Sequence, residues 1–152
     1  MSRPAKRSVT NRALAHTVPG VEKTKLTLGH SPDPDDAFMF YALTTGALET
    51  PGRIYEHVLV DIDTLNEEAK KGTYEVSAVS INSYPEVSHS YDLMNCGASM
   101  GEGYGPILIS KSEMSVEMAK KAEIAIPGLS TSSYLALKLA LGEVCNIFQF
   151  QF

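Results

Sequence analysis

Four hydroxyl side chains in a row, Ser130-Thr131-Ser132-Ser133, follow the turn residues Pro127-Gly128-Leu129. The run Ala122–Ile126 ahead of them reads as a strand, and Ser130–Leu141, with Tyr134, Leu135, Leu137, Leu139 and Leu141, reads as a helix. A helix front carries free backbone N–H groups and the positive end of the dipole, and hydroxyls add further donors. That chemistry suits a carboxylate or a phosphate. One hydroxyl would serve as a cap; four after Pro-Gly point beyond capping.

Other groups invite chemistry less directly. Ser31-Pro32-Asp33-Pro34-Asp35-Asp36 holds three acids in four residues, but it has neither the turn glycine nor the later Glu of a calcium loop. A rigid turn with Asp35 or Asp36 capping a helix is expected instead, and no metal site. Between Gly97 and Gly105 lie four glycines, in a segment that is neither a dinucleotide fingerprint nor a Walker loop. A hinge or a pocket wall is expected there. His30 and His57 are candidate acid–base groups with Asp61 or Asp63 as partners, yet no spacing ties them, and surface or strand-end positions are expected. Cys96 has no basic neighbour in sequence and reads as a buried small apolar residue.

These residues need elements to hold them. Residues 1–24 lack periodicity and read as a disordered basic extension. Strands are expected at Lys25–Gly29, Glu56–Asp61, Glu75–Ser80, Tyr91–Asn95, Pro106–Ser110 and Ala122–Ile126. Helices are expected from Asp35 to near Gly46, from a Thr64/Glu67 capping box to Gly72, at Ile81–Val87 and at Ser115–Lys121. Strands alternating with helices imply an α/β fold with a mainly parallel sheet covered by helices. The tail Asn146–Phe152 alternates aromatic and polar residues, as in a half-buried strand with Phe148, Phe150 and Phe152 on one face. A strand cut in mid-element is expected to mark a truncated chain.

Bulk properties narrow the function. The 152 residues are 43% apolar, enough for one ordinary globular unit. The net charge of −5 divides into +5 before Leu26 and −10 after it. An acidic body excludes a nucleic-acid backbone as partner. No apolar run spans a bilayer or forms a secretory signal, so no membrane partner is expected. The two cysteines, Cys96 and Cys145, lie far apart in no metal-ligand spacing, which fits a reduced, cytoplasmic protein.

Leu28-Gly29-His30-Ser31-Pro32-Asp33-Pro34-Asp35-Asp36-Ala37-Phe38, then Val76–Ser80, then Cys96-Gly97-Ala98-Ser99-Met100-Gly101-Glu102-Gly103-Tyr104-Gly105-Pro106, then Pro127-Gly128 through Tyr134 follow in order. From about Lys25 onward the sequence resembles the 1,4-dihydroxy-6-naphthoate synthases of the futalosine route to menaquinone. The resemblance implies a periplasmic-binding-protein-like (type 2) fold of two α/β lobes, with a small carboxylate-bearing substrate between them. It implies a lyase that converts cyclic dehypoxanthinyl futalosine to 1,4-dihydroxy-6-naphthoate without metal or organic cofactor. By the same resemblance Ala78, Val79 and Ser80 line the pocket, and Ser132 and Ser133, with Thr131 beside them, hold the substrate carboxylate.

The sequence departs from the family pattern at Asn82, where many relatives carry His, and at Asp33 and Asp35, where others have Cys and Asn. The family's general base is a histidine of a His-Glu segment in the second lobe, and no residue up to Phe152 takes that position. The expected organisation is therefore a first lobe over 25–143 and the start of a second over 144–152. No catalytic base lies in this chain, and the fragment alone is expected to be inactive. Two other readings share the fold: a chorismate dehydratase-like enzyme, whose pattern lacks the Ser-Pro-x-Pro opening, and a solute-binding protein, which requires export.

Overall fold

The structure, a computed structural model, describes residues 23–143 and 146–150. The basic extension up to residue 22, Cys145 and Phe152 lie outside the described residues.

Strand β1 (Thr24–His30) is central, with β2 (Arg53–Leu59) and β3 (Val76–Ser77) on either side, all parallel, in the order β2-β1-β3. Its sequence grows more buried toward its end, where Leu28 is 2% exposed. Parallel neighbours need crossovers, and here these are helical. Helices α1 (Pro34–Met39) and α2 (Tyr41–Thr44) join β1 to β2, and α3 (Ile62–Lys70) joins β2 to β3. Helix α3 buries Leu65, Asn66 and Ala69 on one face. Next come α4 (Tyr84–Val87), α5 (Val116–Ala119), β4 (Ile124–Ile126), α6 (Ser132–Leu141) and β5 (Ile147–Gln149). Strands β4 and β5 pair parallel in a sheet of their own, so the strands within 25–143 stand in two sheets, not one.

Several local expectations change. The first helix begins at Pro34 with Asp33 at the N-cap position, because proline at the first helical residue fixes φ there. Asp36 accepts the Ser31 N–H at 2.7 Å, and Ser31 Oγ accepts the Asp33 N–H at 3.1 Å. Helical backbone stops at Phe40 (φ −96°, ψ 3°), which splits one expected helix in two.

Helix α3 starts earlier than the Thr64/Glu67 box. Asp61 takes the cap in extended backbone, and its carboxylate accepts both the Thr64 N–H (3.0 Å) and the Thr64 hydroxyl (2.6 Å). Glu67 pairs with Lys70 instead. Those bonds, the Thr64 hydroxyl first, hold the Asp61 carboxyl below its ordinary range. Asp61→Ala should therefore lower stability by about 1 kcal/mol, and Asp61→Asn by less, in urea unfolding above the carboxylate range.

The third strand is shorter than expected. Ala78 N–H still reaches Gly29 O at 2.9 Å, but the Ser80 amide turns to the Asn66 side chain. Gly29 allows the close approach of neighbours, since a Cβ there would lie 2.7 Å from Tyr74 and 2.9 Å from Leu65. Tyr91–Asn95 and Pro106–Ser110 form no strands. β-branched residues favour pairing only where a neighbouring strand is present, and here none lies alongside; Ile107 and Ile109 stay 82% and 85% exposed. Phe148 and Phe150 likewise remain 43% and 53% exposed, more than a half-buried strand would leave them.

Candidate functional site

Two turns meet between the sheets. One follows β3 through Ser80, Ile81, Asn82 and Ser83; the other follows β4 through Gly128 to the front of α6. Ser83, 1% exposed, donates its hydroxyl to Ser130 O at 2.8 Å. Asn82 Nδ2 donates to the carbonyls of Ser130 (3.3 Å) and Thr131 (3.4 Å), and Asn82 N–H donates to Ser132 Oγ (3.3 Å).

Thr131, 3% exposed, caps α6 by accepting the Tyr134 N–H at 3.3 Å. Its single hydroxyl proton goes to Gly128 O at 2.7 Å. In the 3.1 Å contact between the Thr131 and Ser133 hydroxyls, Ser133 must therefore be the donor. Ser132 differs: its oxygen accepts from Asn82, and among the described residues its own proton has no acceptor.

The other three expected pocket residues, Ala78, Val79 and Ser80, are half-buried. Ser80 is gripped by Asn66, which is fully buried on α3. Asn66 Oδ1 accepts the Ser80 N–H at 2.8 Å, and Asn66 Nδ2 donates to Ser80 Oγ at 3.2 Å. The Ser80 hydroxyl, like that of Ser132, accepts one bond and has no acceptor for its own proton among the described residues. Sequence reasoning missed Asn66. Its signal was a polar residue at an inward position, three before the buried Ala69.

Charge around the turns is net acidic, with one lysine among three carboxylates. Lys70 Nζ lies 3.4 Å from Ser130 Oγ but also pairs with Glu67 (2.7 Å) and Glu86 (3.1 Å), which push its pKa up. Asp63 sits over Gly128 and accepts a hydrogen bond from the Ser130 backbone. Burial, then the nearby Glu67 and Asp61, push its carboxyl above the ordinary range. What these turns can offer an anion is N–H and O–H donors and the α6 dipole rather than a free cation.

Beside the turns, a cleft of about 40 Å³ opens at the carboxyl ends of β1, β2 and β4. Ser31, Pro32, Asp33, Asp61, Ile62, Pro127 and Phe150 line it. The six expected pocket residues stand on the adjoining turns rather than in its wall. A wider hollow of about 290 Å³ lies between α1 and Gly97–Ser99, where Gly97 adopts φ +78°.

Two expectations fail here. His30 does stand at a strand end, the last residue of β1, but the two histidines are neither surface groups nor unconnected: His30 is 4% exposed, and its Nε2 lies 3.0 Å from His57 Nδ1. The parallel register sets Leu28 opposite His57, and His30 shares the face of Leu28. Cys96 is exposed, not buried, because no helix or strand packs over its loop. Among the described residues, no helix is long and apolar enough to cross a membrane, and no three His, Cys, Asp or Glu side chains gather as a metal site.

Comparison with known proteins gives the chain's family. The family model described as menaquinone biosynthesis matches residues 26–151. Over 114 residues the chain is 35% identical to a 1,4-dihydroxy-6-naphtoate synthase of Thermus thermophilus, covering 75% of this chain and 41% of that protein. A Streptomyces coelicolor protein of the same name is 31% identical over 115 residues, covering 75% and 39%. The crystal structure of an Archaeoglobus fulgidus protein superposes with a TM-score of 0.77 at 42% identity, covering 84% of this chain and 47% of that one. The chain spans about two fifths of the length of the curated relatives it matches.

Proposed function

Because the chain belongs to the menaquinone biosynthesis family, we propose that it supplies the carboxylate-holding part of a 1,4-dihydroxy-6-naphthoate synthase. The reaction is the cytoplasmic, cofactor-free lysis of cyclic dehypoxanthinyl futalosine. Ser132 donates its uncommitted proton to the substrate carboxylate. Ser133 exchanges its bond to Thr131 for a second one, and Ser80 closes the opposite side with Ala78 and Val79. The α6 front adds its backbone N–H groups. In this reading these residues bind and orient the substrate, and proton abstraction falls to a histidine of the second lobe.

The observation that carries this reading is the pinning of the two turns together through Asn82 and Ser83. It ties the turn that follows Ser80 to the front of α6, two turns that follow strands of different sheets. The same division supports a two-lobed, periplasmic-binding-protein-like (type 2) architecture. Since β4 pairs with β5, we draw the lobe boundary ahead of Ile124 rather than at residue 144.

Hydrogen bonds to a charged group contribute about 1.5–3 kcal/mol each. Ser132→Ala with Ser133→Ala should therefore weaken binding of 1,4-dihydroxy-6-naphthoate at least about tenfold, and Ser132→Ala alone should give most of that loss. Isothermal titration of this chain tests it, with circular dichroism as the control for folding. An unchanged titration curve for the double variant sinks the carboxylate site.

A further inference from the structure

We propose that His30 and His57 are positioning residues for the cleft wall: together, as a neutral hydrogen-bonded pair, they hold the Ser31-Pro32-Asp33 lip. This inference concerns a different wall from the carboxylate turns and stands without that reading.

The proton inventory follows from one acceptor. His30 Nδ1 lies 3.0 Å from Ser31 O, and a carbonyl only accepts, so Nδ1 carries the proton. In the neutral pair His30 Nε2 is then a lone pair, and the 3.0 Å contact makes His57 Nδ1 its donor. His57 Nε2 is left bare; it is shielded from solvent and has no partner among the described residues. Each ring thus holds one proton, on Nδ1.

The rest of the relay runs into the lip. His30 packs on Phe40 with ring centroids 4.5 Å apart and meets His57 edge-on at 5.2 Å. Ser31 is bonded at all three polar groups: carbonyl to His30, N–H to Asp36, hydroxyl to the Asp33 N–H. Ser31, Pro32 and Asp33 line the cleft. The orientation of that wall therefore depends on a lone pair at His30 Nε2 and a donor at His57 Nδ1.

Adding a proton breaks the pattern. On His57 Nε2 it would be a buried cation with no acceptor. On His30 Nε2 it would face the N–H of His57, which must surrender its tautomer. Among the described residues no carboxylate is hydrogen-bonded to either ring. From α1, Asp36 is committed to the Ser31 N–H. From α2, the titratable group is Tyr41, 62% exposed. On β2 itself Glu56 reaches Lys25 at 2.5 Å. Burial first, and then the charge of His30, hold His57 below the ordinary imidazole range. The sign follows. An imidazole depressed in the folded state contributes its full stability above the unfolded value of about 6.5, and that stability is lost as pH falls below it.

The test uses the whole chain, its His57→Asn variant, which keeps a donor near Nδ1 but cannot titrate, and His57→Leu, which has no donor. In nitrogen-detected imidazole spectra at about pH 8, both rings should show protonated Nδ1. Between about pH 8 and about pH 5, the Ser31 and Asp33 amide shifts should follow the His57 titration in the parent and lose that component in His57→Asn. The fall in melting midpoint over that range should be less than half as large in His57→Asn as in the parent, while His57→Leu melts lower at every pH. Amides of the lip that ignore the His57 titration, or titrate equally in His57→Asn, overturn the proposal. Should a variant fail to fold, a protonated Nε2 on either ring of the neutral parent overturns it alone.

Discussion

Gly128→Ala should destabilise the protein by about 3 kcal/mol, the upper end for forcing one methyl into a filled site. A Cβ at Gly128 would overlap the Asp63 carboxyl group and lie only 2.6 Å from Asp63 Cβ. A carboxylate can rotate away, but the Asp63 Cβ is fixed by the α3 backbone, so the helix or the turn must move. That turn carries Thr131–Ser133, and the displacement should also weaken carboxylate binding. Urea unfolding measures the loss. Adding Asp63→Gly removes the obstructing Cβ, and a double-mutant cycle should return more than half of the Gly128→Ala loss beyond what Asp63→Gly costs alone. Equal midpoints for Gly128→Ala and the parent would show that α3 does not seat against this turn.

Leu65→Ala should cost about 3–4 kcal/mol, within the range for removing a buried leucine from a close-packed site. Leu65 is fully buried on α3, and its Cδ2 would lie 2.9 Å from a Cβ at Gly29 in β1, so the side chain fills the space that the glycine leaves. Neighbouring side chains cannot collapse into the gap without moving Asn66, the next residue, which is fixed to Ser80 by two hydrogen bonds. A second effect follows: the pocket strand end loosens, and binding weakens with stability. Leu65→Met keeps nearly the same volume and should cost under about 1.5 kcal/mol. A loss below about 1 kcal/mol for Leu65→Ala in chemical denaturation would remove α3 from the core.

Much of this was legible in the chain. The apolar end of β1, the alternation of strands and helices and the hydroxyl front of α6 each follow from local rules, and Thr131 and Ser115 cap their helices as such residues do. What the chain did not display were long-range choices. The capping of α3 was misassigned because Asp61 and Thr64 both satisfy the local pattern, and the winner is decided by where β2 ends. The strand after Tyr74 was drawn too long because the Ser80 amide has two possible acceptors, a strand neighbour or Asn66, and packing of α3 selects the second. His30 and His57, separated by 27 residues, become neighbours only through the β1–β2 register. Cys96 was read as buried, and Pro106–Ser110 as a strand, on side-chain type alone, without the adjoining element that burial or pairing needs.

The unequal bonding of the two sheets sets how the molecule can breathe. β1 is laced on both edges and along seven residues to β2, whereas β4 is joined to β5 over three. Subglobal opening that parts the smaller ribbon leaves the larger one intact, since fewer ladder bonds must break. The front of α6 rides on that looser unit, while Ser80 is anchored by Asn66 to the tighter one. At the proposed carboxylate site, grip and release would then fall at a seam between a stiff jaw and a compliant jaw, stitched by Asn82 and Ser83.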